Sequence, residues 1–196
     1  MKASKPFLKS LPAKLAVDNA TVKLFPSLLG VSFDTLPASV QLAHGGRSVC
    51  LRGQSTITRG TGWLSRICAF FARLPPAQAN VETQVDIEVK SDGSECWHRR
   101  FGQAHMPGML SVGPHGWLRE RLGAVRFDFL LAAELNGFRW HVKQVAVFGL
   151  PLPASWFSAV HAYSYSEAGS YRFLVHAQIP LAGLLVRYEG SLEPHS

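Results

Sequence analysis

Glu95, Trp97, Arg99 and Phe101 occupy alternate positions of one short segment, Glu95-Cys96-Trp97-His98-Arg99-Arg100-Phe101. In an extended chain alternate residues share a face. A carboxylate, an indole, a guanidinium and a phenyl ring therefore line up on one side. Charges on an apolar face persist only when paired and hydrogen-bonded. Such a set can serve as an ion pair that fixes strand register, as a polar anchor at the floor of an apolar ligand pocket, or as acid–base machinery. Glu120 is the candidate further partner of Arg99, or a general base. His44 ends a predicted helix just before Gly45-Gly46. There the helix dipole favours the charged imidazole, although a simple capping role suits it as well. With Trp140, these residues form the expected ligand-binding set: Glu95, Trp97, Arg99, Phe101, Glu120, Trp140 and His44.

Other chemistries find little support. There is no GxSxG elbow, no HxH or HExxH and no CxxC pair, so no metal site is expected. No GxGxxG fingerprint is present, so no nicotinamide cofactor is expected to bind this chain by itself. His161 and His176 face each other in a predicted hairpin but lack a third ligand. Tyr163, Tyr165 and Tyr171 are expected on the sheet surface and rim, where a hydroxyl could fix a ligand's polar end. Catalytic residues stay unassigned.

The reactive segment is the return arm of a hairpin. The arm before it runs Val81, Thr83, Val85, Ile87 and Val89 against Glu82, Gln84, Asp86, Glu88 and Lys90, a period of two that marks one dry and one wet face. A two-residue loop at Asp92-Gly93 would place Trp97 among the charges. A three-residue loop, Ser91-Asp92-Gly93, sets Ile87 opposite Trp97 and Val85 opposite Arg99, and burial favours this register. A second hairpin is predicted to turn at Asn136-Gly137, pairing Leu135 with Phe138 and Leu131 with Val142, and a third near Ala168-Gly169-Ser170. A short helical turn is expected from Phe25-Pro26 to Gly30, a helix from Thr35 to His44 with Asp34 as N-cap, a strand from Val49, and a second helix from Trp63 to Leu74. That second helix is expected to lay Trp63, Ile67, Phe70 and Phe71 on the sheet as a cover, with insertion into a membrane interface as the alternative. Membrane contact is not the expected use.

Composition sets outer bounds. The chain has 196 residues, of which 47% are hydrophobic and 17% charged, which fits one globular domain. The net charge of +7 is uneven: Lys2, Lys5, Lys9 and Lys14 leave sixteen basic against thirteen acidic residues elsewhere, a net of +3. Residues 1–23 read as a flexible basic arm, and 24–196 as a single curved-sheet domain. No basic stripe interleaved with aromatics suggests nucleic-acid binding. Three widely spaced cysteines, Cys50, Cys68 and Cys96, point to free thiols in a reducing compartment, and no signal-peptide or membrane-spanning run is evident, so a cytoplasmic location is expected.

Five stretches together carry a resemblance: Glu95-x-Trp97-x-Arg99-x-Phe101-Gly102; Trp117-Leu118-x-Glu120-x-Leu122-Gly123; Leu150-Pro151-Leu152-Pro153; Gly169-Ser170-Tyr171-Arg172-Phe173; and Pro180-Leu181-Ala182-Gly183-Leu184-Leu185 with Tyr188, Gly190 and Leu192. In order and spacing they resemble the bacterial family called domain of unknown function four-one-six-six, over roughly residues 25–193. The resemblance implies no established activity. Family members also occur fused to saccharopine-dehydrogenase-like reductase modules, which implies a nicotinamide-dependent reductase as a candidate partner.

The expected fold is α+β, mainly antiparallel β, a curved sheet or incomplete β-barrel covered by two N-terminal helices. The leading function is binding of a small hydrophobic molecule in the concave face, with Phe127, Phe129 and Phe173 among the lining residues and a cavity of ~300 Å³ or more. An acid–base enzyme acting through Glu120 or His44 is the second reading. The third is an interaction domain that docks on a reductase or forms a homodimer through a sheet edge.

Overall fold

A computed structural model describes residues 23–195. The expected basic arm lies almost wholly outside the described residues. Three short helices come first, α1 (Leu24–Leu29), α2 (Val31–Asp34) and α3 (Ala38–His44). Strand β1 (Val49–Arg59) and helix α4 (Trp63–Phe71) follow. Ten further strands complete the chain: β2 (Gln78–Val89), β3 (Glu95–Phe101), β4 (Ala104–Val112), β5 (Leu118–Leu122), β6 (Val125–Glu134), β7 (Gly137–Val147), β8 (Leu150–Leu152), β9 (Val160–Glu167), β10 (Ser170–Ile179) and β11 (Gly183–His195).

The sheet runs β6-β5-β4-β3-β2-β1-β11-β10-β9-β7, and β6 also pairs with β7. That pairing closes a ten-stranded antiparallel barrel, with β8 a short flap on the end of β7. The expected incomplete barrel is therefore corrected to a closed one, and the helices do not form an N-terminal pair, because α4 sits between β1 and β2. Closure satisfies the backbone groups that a curved open sheet would leave unpaired at its edges.

The first hairpin adopts the three-residue loop. Ile87 lies opposite Trp97, Val85 opposite Arg99 and Asp86 opposite His98, and Gly93 takes the left-handed conformation at φ 81°. The third hairpin is a two-residue turn at Ala168-Gly169, both with positive φ, so that His161 meets His176 with the rings stacked at 5.3 Å.

The second hairpin departs from expectation. Its turn is Leu135-Asn136, Glu134 pairs with Gly137, and Leu131 pairs with Trp140 rather than Val142. Gly137 serves close approach rather than turn geometry. A Cβ there would lie 2.0 Å from the Ser164 carbonyl of β9, so glycine is what lets β9 pair with the first residue of β7. From Phe129 to Gly137 the shift keeps each side chain on its face. A bulge between Asp128 and Phe129 then changes the register so that Phe127 meets Val145, and Arg139 still reaches Glu134 at 2.6 Å.

Helix α3 begins at Ala38, with Pro37 rather than Asp34 at its N-cap. Asp34 instead ends α2. Together α1–α3 plug one mouth of the barrel. Phe25 is fully buried there, with its ring 4.4 Å from His44, 5.6 Å from Trp140 and 5.7 Å from Phe138. Helix α4 lies across the other mouth and stops at Phe71. Arg73 turns left-handed at φ 52°, and the Leu74 amide reaches back to the Ala69 carbonyl at 2.9 Å, a Schellman-type ending. The expected packing of its aromatic face on the sheet is also corrected: its buried residues are Ser65 and Ala69, and Trp63 and Phe70 face outward.

Because Phe25 anchors the plug, Phe25→Ala should lower unfolding free energy by about 3–5 kcal/mol in urea titrations. A loss under about 1 kcal/mol would show that the plug contributes little to the folded state.

Candidate functional site

The alternation of β3 turns Glu95, Trp97, Arg99 and Phe101 into the barrel, and all four are buried. Arg99 Nη2 donates to Glu120 Oε1 of β5 at 2.6 Å. Glu95 is not part of that ion pair. Its Oε2 accepts the Trp97 indole N–H at 2.8 Å, while the Arg99 guanidinium lies over the Trp97 ring at 4.7 Å. Trp97 thus joins the two carboxylates' environments, one through its N–H and one through its π face.

Gly108 of β4 makes room for this arrangement. A Cβ at that position would stand 2.8 Å from Arg99 Nη1 and 3.2 Å from Glu120 Oε1. The ion pair therefore rests on bare backbone. Arg99 Nη1 itself has no hydrogen-bond partner among the described residues.

His44 is fully enclosed at the end of α3. Its Nε2 lies 3.0 Å from the Tyr171 hydroxyl. The Tyr171 hydroxyl in turn donates to Ser164 Oγ at 3.3 Å, as does the Trp140 indole N–H. With Tyr171 donating onward, His44 Nε2 carries the proton and Nδ1 is a free acceptor, without a partner among the described residues. Burial, and secondarily the positive charge of Arg99, pushes the His44 pKa down to about 3. Neither reading of His44 from the sequence holds: the ring pairs with Tyr171 instead of capping α3, and it is neutral, because desolvation outweighs the dipole of a seven-residue helix. Burial pushes Glu95 up to about 7, against the opposing indole hydrogen bond, and pushes Tyr171 up to about 12.

An apolar cavity of about 130 Å³ occupies the barrel axis. Six of the seven residues singled out in the sequence line it: Trp97, Arg99, Phe101, Glu120, Trp140 and His44. Glu95 is the exception, lying behind Trp97 toward the plugged mouth. Phe127, Phe129 and Phe173 contribute to the wall as expected. The cavity is smaller than the ~300 Å³ expected of a ligand pocket, because Phe25 of the plug and the Trp97 and Trp140 rings pack together inside the barrel. Sequence reasoning missed Ser164 and underrated Tyr171, expected at the rim but buried inside; its spacing of two from Phe173 on one strand was the available signal. Tyr163 and Tyr165 stack outside at 4.6 Å. Among the described residues no cluster suited to a metal ion occurs, and burial pushes the Cys50 and Cys68 thiols up, away from the reactive thiolate.

The sequence pattern of the family described as "Domain of unknown function (DUF4166)" matches residues 36–192. No curated protein matches the chain. Among solved structures it is similar to a mutant of the vaccine antigen transferrin binding protein B from Haemophilus parasuis Hp5, at 10% identity and a TM-score of 0.33, over 83% of this chain and 27% of that one. This chain spans about a quarter of that protein's length.

Glu95 and His44 make opposite contributions to pH dependence. Glu95 has a raised folded pKa, so its stabilisation is present below its unfolded value of 4.5 and is lost as pH rises through about 7. His44 has a lowered one, so its stabilisation is present above 6.5 and is lost as pH falls toward 3. Between pH 4.5 and 6.5 the two nearly cancel. Glu95→Gln keeps an acceptor for the indole and removes the titration. Its stability relative to wild type should rise by about 3 kcal/mol between pH 4.5 and 8, read from urea midpoints. Parallel profiles for the two proteins would rule out a buried, titrating Glu95.

Proposed function

We propose that this chain, which belongs to the family described as a domain of unknown function (DUF4166), binds a small apolar molecule bearing one hydrogen-bonding head group. The supporting observation is the pairing of an apolar cavity with two buried, unpartnered polar atoms on residues of its wall, Arg99 Nη1 and His44 Nδ1. Buried polar atoms are nearly always satisfied. A donor on Arg99 and an acceptor on His44 suit a hydroxyl head group, which can accept from the one and donate to the other. Glu120 already compensates the Arg99 charge, so a neutral head group fits better than an anion. At about 130 Å³ the cavity is of the order of the ~150 Å³ engineered cavity that binds benzene, so the ligand is of single-ring size in this conformation.

Acid–base catalysis is less well supported. His44 at about 3 is a poor general base near neutrality, and Glu120 Oε1 is held by Arg99. Docking on a reductase, the other reading from sequence, has no specific surface feature in its favour.

The test compares two ligands of one shape, 1-phenylethanol and isopropylbenzene, by calorimetric titration. The alcohol should bind about 3–10-fold more tightly, one net hydrogen bond. Arg99→Met with Glu120→Leu removes the anchor without leaving a lone buried charge. That double variant should bind both ligands about equally. Absence of binding by either ligand to the wild-type protein would overturn the proposal.

A further inference from the structure

The barrel mouth crossed by α4 has a surface that the cavity does not explain. On α4 small residues face the barrel, and Ser65 Oγ donates to the Leu184 carbonyl at 2.7 Å. The large ones point away: Trp63 is 70% exposed and Phe70 78%. Neighbouring connections at the same end add Phe148 at 68%, in the turn between β7 and β8, and Leu181 at 94%, in the turn between β10 and β11. Phe71 ties part of this patch together, its ring 5.6 Å from Phe70 and 5.3 Å from Phe148. Leu150 and Trp156 extend it along β8 and the turn that follows. Most large apolar side chains left exposed thus gather at one end, although a soluble surface normally scatters them singly.

The charge pattern of this end is one-sided. The connections that build it, residues 60–77, 102–103, 123–124, 148–159 and 180–182, contain no Asp or Glu. A groove beside α4 is lined by Arg59, Arg66, Arg73 and His105 together with Phe70 and Phe148. Neither Arg66 nor Arg73 has an acidic partner among the described residues. The plugged end differs, with Asp34, Glu88, Asp92, Glu134 and Glu167 around it.

We propose that the α4 mouth seats on an anionic lipid surface, with Trp63, Phe70 and Phe148 in the interfacial layer and Arg66 and Arg73 against lipid phosphates. An amphipathic helix with aromatics on one side and arginines beside them is the arrangement that lies in a bilayer interface. A second copy of the chain is a poor occupant, because a two-fold contact would set arginine against arginine with no carboxylate on either side. The inference goes beyond the cavity reading and stands on the surface alone. Ala72, Leu74 and Phe157 at the base of this mouth also line the cavity, so a seated barrel would turn its apolar interior toward the lipid.

The test is co-sedimentation of the full chain with vesicles of phosphatidylcholine alone or mixed with phosphatidylglycerol. Binding to the anionic vesicles should exceed binding to the neutral ones by roughly tenfold, and should fall with added salt. Trp63→Ser with Phe70→Ser alters only exposed side chains, and should keep the wild-type circular dichroism while weakening vesicle binding more than about tenfold. Arg66→Glu should weaken it on anionic vesicles only. Binding that persists in the Trp63→Ser, Phe70→Ser variant would assign it to the lysine-rich start of the chain and overturn the proposal. Equal or absent binding to both vesicle types would overturn it, as would a dimer in light scattering that the same variant dissociates. Because no readout uses a cavity ligand, failure here leaves the cavity proposal standing, and the reverse also holds.

Discussion

The interior of this barrel is organised around one buried ion pair, Arg99 with Glu120, seated against the indole of Trp97 and the bare backbone of Gly108. Two charges in an apolar lumen impose strict demands. They must meet across β3, β4 and β5, which fixes the register of three strands. They need a residue without a side chain at position 108. They also need water excluded, or the wall would open to solvent. Closure of the ring by β6 and β7 and the plug of α1–α3 supply that exclusion. Desolvation then propagates to the neighbours: it holds His44 neutral and brings Glu95 to about 7. The same enclosure that stabilises the fold thus sets the protonation of the groups around the cavity.

The polar atoms inside are divided unevenly. Glu95 accepts from Trp97 at 2.8 Å, and Ser164 accepts from Trp140 and from Tyr171, each at 3.3 Å. Arg99 and His44 each keep one nitrogen unused. A network built purely for stability would leave neither, since an unmet buried donor or acceptor costs about 1–3 kcal/mol. That asymmetry, more than the size of the cavity, is what supports the proposed ligand site.

Local alternation made much of the interior legible. The odd-numbered apolar positions of β2 select the three-residue loop, and that loop places Trp97, Arg99 and Phe101 inside. What could not be read was long-range. The β6–β7 hairpin is signalled locally, but nothing near Val49 or His195 announces that β1 and β11 pair along their length, so the barrel looked open. Asn136-Gly137 carried the strongest local turn signal, yet Gly137 was needed for its contact with Ser164 of a strand more than twenty residues on. Trp63 and Phe70 looked like core because hydrophobic periodicity reports an apolar face without reporting what covers it. His44 was assigned a helix-end environment, but Phe25, Phe138 and Tyr171 surround it from distant parts of the chain. In each case a tertiary contact overrode a sound local rule.

The most direct test of the buried pair is a double-mutant cycle on folding stability with Arg99→Met and Glu120→Leu. Each single change leaves one uncompensated interior charge and should cost about 3–5 kcal/mol, while the double change should lie within about 1 kcal/mol of wild type. Single costs that are small and simply additive would contradict a desolvated Arg99–Glu120 pair, and with it this description of the barrel interior.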